Sequence, residues 1–550
     1  GRARRVAERF SDQMAVLFKP AVEVLGRALK VSEHAREVFG EAEIRRHLVF
    51  QLSKLSAFLS KRLRDRTGAS VWDVLVPGTA AGRLRSTESL EALAKCPDPA
   101  LISVLRKVDG DEEIPPNVRG IILFQPIPQL SHLGLRARQA GVVFVVCEEA
   151  EEFHRLAGFE AKPVVFKATS NDVSFELATG VGSASRCVRA DSVRVPNVTL
   201  RAPRQVLALA DVELQNGGAK AFGARRLEEL SRRADAGFKT APGLVIPFGI
   251  MEELMRSGPE LETAYRATLY RLNESGIVER RPIEPGRQSS SLELPRSETS
   301  DFNEARERLQ GLIGQITFPE EITRAVVDEF GTEARLMVRS SASCEDLDGF
   351  ASAGLYDSIA NVAPEEVGGA IKMVWASLWT RRAALSRQQA GLAHEKACMA
   401  VLIQRLVRPD YSFIMHTAHP AAPNSLECLA ELAVGLGVIL ASAISAGSPY
   451  RMTCNRKTGA SRMDVFANFS VGFQPGQRGT LSCQTLDYSR VTFSCDASFR
   501  QRIGAQLAAI AGRLEVEFRG PQDVEGIIVG DEIYLVQCRP QPGQKDECRR

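Results

Sequence analysis

His132 stands in the run Pro-Ile-Pro-Gln-Leu-Ser-His-Leu-Gly-Leu-Arg-Ala-Arg, residues 126–138, where an imidazole is well placed to accept a phosphoryl group. Pro126 and Pro128 hold the approach extended, and Ser131 can cap a helix that starts at His132. Free backbone N–H groups at a helix start favour an anion. Arg136, four residues on, shares the helix face of His132, and Arg138 adds a nearby cation. The nucleophile is the neutral ring, and a reference pKa of about 6.5 leaves most of it neutral at cellular pH. The same pattern also suits a histidine that only caps or packs. His416 and His419, which flank a strand end, lack such surroundings and read as structural or surface residues.

Other residues suit a nucleotide with its magnesium. Gly217-Gly218-Ala219-Lys220 puts a lysine at a helix start after a flexible turn, within reach of phosphates, although it is no Walker A motif. Val338-Arg339-Ser340-Ser341 ends a strand and runs into the loop 344–354, which carries Glu345, Asp346, Gly349 and Gly354. Such a loop can fold over phosphates while Arg339 neutralises charge. Near the C-terminus, Asp523 and Glu525 point to one side if extended, and Gln537 and Arg539 do likewise on a partner strand. Two carboxylates and an amide oxygen are hard-oxygen ligands of the kind Mg²⁺ takes, and Arg539 can take a phosphate. Each of these pieces alone fits a solvated polar surface equally well.

The elements that must position them are partly readable. Apolar residues at helical spacing, among them Val16, Leu17, Val22, Leu25 and Leu29, predict a helical lead-in from Ala7 to Leu63. Strand-like runs at Trp72–Val76, Ile121–Phe124, Val142–Cys147 and Val164–Lys167 alternate with short helices or loops, which implies an α/β unit. Pro196 and Pro203 flank a linker. Beyond it the pattern predicts a helix from Gly217 to Arg233 and strands at Gly243–Ile246, Arg335–Arg339, Ala400–Arg405, Tyr411–Thr417 and Leu426–Leu432. The polar stretch Arg280–Ser300 reads as an exposed loop. A helix Phe499–Phe518 with Gly520 as its C′ residue precedes a hairpin turning at Gly530-Asp531.

Composition bounds the reading without supplying it. The 550 residues are 44% hydrophobic and 25% charged, as in an ordinary folded protein of several units. A formal net charge of +3 gives no general attraction to nucleic acid or to anionic membranes, and no apolar run is long enough to predict a spanning helix. Eleven scattered cysteines without a Cys-x-x-Cys pair suggest reduced thiols in a cytosolic or plastid-stromal setting. The start at Gly1, without Met, reads as a fragment or mature form.

Taken together, Ser131–Arg138, Gly217–Lys220, Val338-Arg339-Ser340-Ser341-Ala342, Gln522-Asp523-Val524-Glu525-Gly526 and Val536-Gln537-Cys538-Arg539-Pro540 resemble the family of pyruvate, phosphate dikinase, phosphoenolpyruvate synthase and the glucan, water dikinases. The histidine unit precedes the nucleotide unit, which is the glucan dikinase order, and no stretch remains for a phosphoenolpyruvate-binding barrel. Several stretches look closer to the phosphoglucan, water dikinase type: Ser131–Gln139, Ile246–Glu252, Val374–Ser386 and Ala467–Ser470. The resemblance covers nearly the whole chain. It implies a multidomain α/β fold: a helical segment over 1–69, a swivelling β/β/α phosphohistidine domain over 70–195, a linker at 196–206 and an ATP-grasp domain over 207–545.

Carried over position by position, the resemblance implies His132 as the phosphohistidine. It implies Lys220, Arg339, Asp523 and Arg539, with Gln404 and Arg382, at the nucleotide, and Glu525 and Gln537 at Mg²⁺. Its substrates would be ATP and a starch-like α-glucan, already phosphorylated for the phosphoglucan type, in a plastid stroma or the cytosol. The nearest rivals are an α-glucan, water dikinase acting at C6 and a catalytically silent glucan-binding scaffold. Two departures stand out. Val438 occupies the place after Gly435-Leu436-Gly437 where the family often has glutamate, so that role is lost or falls to Glu431. No aromatic-rich starch-binding module is visible.

Overall fold

The structure is a computed structural model. It describes residues 2–67, 70–94, 96–110, 112–147, 149–169, 172–178, 198, 200, 206–274, 296–345, 354–442, 444–476 and 480–541. Most of the expected linker at 196–206 and residues 280–295 of the expected polar loop lie outside them. The last residues of that loop, 296–300, instead open the helix Arg296–Gly314.

The lead-in is three helices, α1 (Arg2–Ala28), α2 (Glu33–Arg46) and α3 (Leu48–Thr67), with α1 packed on both others. Many of their large apolar side chains stay exposed, including Leu17, Val24, Phe39, Leu55 and Phe58. No described helix is long and apolar enough to cross a membrane.

The next unit is one seven-stranded sheet: β1 (Trp72–Val76), β2 (Gly78–Thr87), β3 (Leu101–Leu105), β4 (Val118–Leu123), β5 (Val143–Cys147), β6 (Pro163–Ala168) and β7 (Val173–Leu177), in the order β1-β5-β4-β3-β2-β6-β7. Strands β2 to β5 run parallel, and β1, β6 and β7 are antiparallel to their neighbours. Helices α4 (Leu90–Leu93), α5 (His132–Ala140) and α6 (Ala150–Ala157) connect them. Both sheet faces are covered, and so β3, β4 and β5 carry apolar residues on both sides: Leu101, Ile121 and Phe144 enter one core, Ile102, Ile122 and Val145 the other.

The C-terminal half holds two antiparallel sheets and a ribbon. Helix α7 (Leu214–Ser231) packs on the sheet β11-β10-β12-β9-β8, formed by β8 (Leu207–Ala208), β9 (Gly243–Ile246), β10 (Leu336–Ala342), β11 (Ser358–Val362) and β12 (Met399–Arg405). Then follow β13 (Tyr411–His416), β14 (Glu427–Val434), β15 (Tyr450–Asn455), β16 (Ser461–Val465), β17 (Val471–Pro475), β18 (Leu481–Thr485), β19 (Gln522–Val529) and β20 (Glu532–Pro540). The ribbon is β17-β18, and the rest pair as β16-β15-β14-β13-β19-β20.

Two local expectations need correction. The helix Ala497–Phe518 ends with Arg519, not Gly520, in the left-handed region at φ 56. The Arg519 and Gly520 N–H groups both return to the Glu515 carbonyl, so the chain turns one residue early. Helix α7 begins at Leu214, before the glycine pair, and carries a kink within it: Gly218 has φ 78 and ψ 174. Ser341 stitches that kink to β10, its hydroxyl donating to the Gly217 carbonyl at 2.6 Å and accepting from the Ala221 N–H at 3.1 Å.

A Cβ at Gly218 would lie 2.7 Å from Ser341 Oγ and 2.8 Å from its carbonyl oxygen, in a backbone region that disfavours side chains. Gly218→Ala is therefore expected to cost about 1–3 kcal/mol. Thermal unfolding checks this, and a melting temperature equal to wild type would reject it.

Candidate active site

Helix α5 starts at His132, with Ser131 as its N-cap and Ser131 Oγ accepting the Gly134 N–H at 3.4 Å. A Cβ on Gly354, at φ +70, would fall 2.5 Å from His132 Nδ1, so a side chain at 354 would collide with the ring. The Gly354 carbonyl accepts a hydrogen bond from Arg382. Arg136 is buried behind the ring and donates to the Gly110 carbonyl at 2.7 Å. Desolvation first, then the charges of Arg136, Arg539, Arg382 and Lys220, hold the His132 imidazole well below its ordinary range. Three of those four cations come from the C-terminal half. The ring thus stays neutral, as a nucleophile must, at the meeting of the two halves.

The kink at Gly218 aims Lys220 at β10, where its Nζ lies 2.8 Å from Glu345 Oε1 and 3.1 Å from Ser340 Oγ. Glu345 is held in turn by the Ala342 N–H at 2.9 Å. Residues 346–353 of the expected phosphate loop lie outside the described residues.

The hairpin β19-β20 carries the other candidates in register. Asp523 stands opposite Arg539 and Glu525 opposite Gln537, so all four are brought together as the alternation of an extended chain requires. Arg339, on β10, reaches them across the gap between sheets. It donates to the Val536 carbonyl at 2.8 Å and to Gln537 Oε1 at 2.8 Å, and it lies 3.4 Å from Glu525 Oε2. Arg539 grips Asp523 at 2.9 and 3.0 Å. Gln404 stands one pleat step further along the Arg339 face, opposite Met337, and is buried.

Glu525 and Gln537 supply one carboxylate and one amide oxygen. That set fits Mg²⁺, which binds few protein oxygens and keeps waters and substrate phosphates for the rest. Among the described residues no three His, Cys, Asp or Glu side chains gather as a closed metal cage.

Two residues stand differently from the sequence reading, which took His416 as structural or surface and named Glu431 only as an alternative to the glutamate absent at Val438. His416 is fully buried opposite Asp523, its Nε2 3.7 Å from Asp523 Oδ1, and neither ring nitrogen has a hydrogen-bond partner among the described residues. Burial first, then Arg138, Arg539 and His419, push its pKa well down, so it is neutral and leaves the Asp523 charge to Arg539. Glu431 is also buried, with Arg451 beside it. Neither residue sits in a local motif; only the pairing of distant strands places them.

Comparison with known proteins agrees with this layout. The pyruvate phosphate dikinase, AMP/ATP-binding domain family matches residues 218–549, more than half of the chain. The alpha-glucan water dikinase, phosphohistidine-like domain family matches residues 71–182. The chain is 26% identical to alpha-glucan water dikinase, chloroplastic, of Citrus reticulata over 96% of its own length and 35% of that protein. It is 25% identical to alpha-glucan water dikinase 1, chloroplastic, of Arabidopsis thaliana over 97% of its length and 37% of that protein. Rifampicin phosphotransferase of Bacillus subtilis is 28% identical over 42% of this chain and 27% of that protein. The chain spans only about a third of the two glucan dikinases. With a phosphohistidine-like domain ahead of its nucleotide half, the chain belongs to the pyruvate phosphate dikinase AMP/ATP-binding domain family.

Proposed function

We propose that this chain is the phosphotransfer portion of a glucan, water dikinase, with His132 as the relay between ATP and a starch-like α-glucan. The observation that carries this reading is the neutral His132 ring set against Lys220, Arg382 and Arg539 of the nucleotide half. A histidine that merely packs has no use for three cations from another unit.

On this reading the His132 imidazole attacks the β-phosphorus of ATP. The bonds linking that phosphorus to the α- and γ-phosphates break, AMP leaves, and water takes the γ-phosphoryl group as inorganic phosphate. The phosphohistidine P–N bond then breaks as a glucosyl hydroxyl oxygen bonds to phosphorus, and the hydroxyl proton is released. Lys220, Arg339 and Arg539 neutralise the phosphates, Gln404 and Arg382 line the site, and Asp523 orients Arg539. Glu525 and Gln537 would hold Mg²⁺, which neutralises phosphate charge when bound. Beyond this the protein's task is positioning.

The finer reading is the phosphoglucan type, acting at C3 of glucan that is already phosphorylated, on the resemblance of Ser131–Gln139 and Val374–Ser386. The second reading, an α-glucan, water dikinase acting at C6, is favoured by the relatives' names. Positional analysis of the phosphorylated glucose, with and without prior phosphorylation of the glucan, separates them. That both of those relatives are chloroplastic also favours a plastid location.

With ATP labelled at the β-phosphate, label is expected to stay on the wild-type protein and to be absent from His132→Ala. Label kept by that variant would reject the assigned nucleophile. Glu525→Gln should lower Mg²⁺-dependent labelling by roughly tenfold or more, as expected when a charge-stabilising group at a phosphoryl site is lost; unchanged labelling would remove its metal role.

The pH profile tests the electrostatics independently. Because burial and cations hold His132 below its usual range, protonation does not remove the nucleophile as pH falls through about 6.5. The initial rate of labelling should stay level from about pH 8 to about pH 6. A decline with a midpoint near the free-imidazole value would contradict the neutral ring.

A further inference from the structure

The loop that delivers His132 is held by a carboxylate that the proposed chemistry does not use. Glu431 lies on β14 with no solvent exposure. Its Oε1 accepts the Gln129 N–H at 3.0 Å and its Oε2 the Leu130 N–H at 2.8 Å. Arg451 stands directly opposite on β15 and donates to Glu431 Oε1 at 3.1 Å. The two remaining nitrogens of Arg451 fork onto Asp73 of β1, at 3.1 and 3.0 Å. Gln129 also donates to the Val74 carbonyl at 3.4 Å, which ties the loop to the same strand. Between these bonds Leu130 enters the core of the nucleotide half, with Phe413, Leu429 and Leu432. His132 follows two residues later at the head of α5.

From this geometry we propose that Glu431, with Arg451 and Asp73, is a positioning latch that docks the phosphohistidine unit for the step in which His132 is loaded from ATP. The proposal rests on the dikinase reading above, in which that unit must also leave the nucleotide site. The latch is built to open. Glu431 and Arg451 belong to adjacent strands of one sheet, so they keep each other when the partner departs, and no lone charge is left. From the latch itself depart one half-exposed carboxylate, two backbone N–H groups and a single leucine. Such a polar contact is typical of domains that separate within one chain.

The latch is also specific in direction. Two backbone donors on one carboxylate fix the orientation of the loop, and the bidentate Arg451–Asp73 pair fixes that of β1. Two anchors on one rigid unit leave the His132 ring little freedom beyond the place it occupies. A second set of contacts, Ser386 Oγ to Glu113 at 2.8 Å and Arg381 to Glu91 at 3.6 Å, closes the other side.

Because the unit has to leave in every turnover, the docked state cannot be overwhelmingly favoured, and a weakened latch lowers the loaded fraction directly. Asp73→Asn and Glu431→Gln are therefore expected to cut the maximal rate of β-label uptake roughly three- to tenfold, the size of one coupled polar contact. The ATP concentration at half-saturation should not change, since neither residue faces nucleotide. Asp73→Glu, which keeps the fork, should recover most of the rate. Asp73 is partly exposed, so its variants fold even if Glu431→Gln does not.

Small-angle scattering reads the same equilibrium without chemistry: both latch variants should show a larger radius of gyration than wild type. Label uptake equal to wild type in Asp73→Asn, a loss matched by weaker use of ATP, or an unchanged radius would each overturn the latch. A wild-type protein that takes no label would instead overturn the dikinase reading, and scattering would still judge the latch.

Discussion

The site depends on keeping one imidazole neutral inside a shell of cations. Desolvation and positive neighbours act in the same direction on His132, each disfavouring the imidazolium. Cations gathered in this way repel one another, and the fold offsets that cost with a local partner for each. Lys220 has Glu345, Arg539 has Asp523, Arg339 has Glu525 and Gln537, and Arg136 and Arg382 have backbone carbonyls. On the proposed mechanism these partners hold the cations in place before the nucleotide arrives, and the triphosphate then binds among them. His416 completes the balance by staying neutral: were it charged, it would compete with Arg539 for Asp523.

What the sequence made legible was what local rules decide. The prolines, the Ser131 cap and the helix start at His132 lie within one short run, and each has a mechanism that acts over a few residues. The hairpin β19-β20 was readable for the same reason. Its two-residue turn opens on Gly530 at φ 60, while a bulge at Val536 shifts the pairing by one residue beyond Gly526 and so puts Asp523 and Glu525 against Arg539 and Gln537.

What stayed hidden was decided by distant pairing. Strand β2 begins Gly-Thr-Ala-Ala-Gly, with little intrinsic preference for an extended chain, and becomes a strand because β3 and β6 pair with it on either side. His416 meets Asp523 only through the pairing of β13 with β19, and Arg339 meets the hairpin only where two sheets face each other. Asp73 and Arg451 lie at opposite ends of the chain, and no periodicity links them. The kink at Gly218 shows a third case: a helix pattern was readable, but its break is imposed by Ser341 on another strand.

The same contrast bears on how the two halves meet. A contact meant to be permanent would bury apolar surface, as the two faces of the seven-stranded sheet do. The contact beside His132 instead concentrates its specificity in carboxylates and guanidinium groups and commits one leucine to the opposite core. Polar pairs lose little on separation when water can take the place of each partner, whereas a large apolar face would resist opening. Burial nonetheless raises the Glu431 carboxyl, while Arg451 and the Leu130 and Gln129 N–H groups favour its charged form. The loop's N–H groups therefore offset part of the desolvation of Glu431, and the carboxylate in turn holds the loop. That mutual dependence links the charge state of the nucleotide half to the position of the histidine.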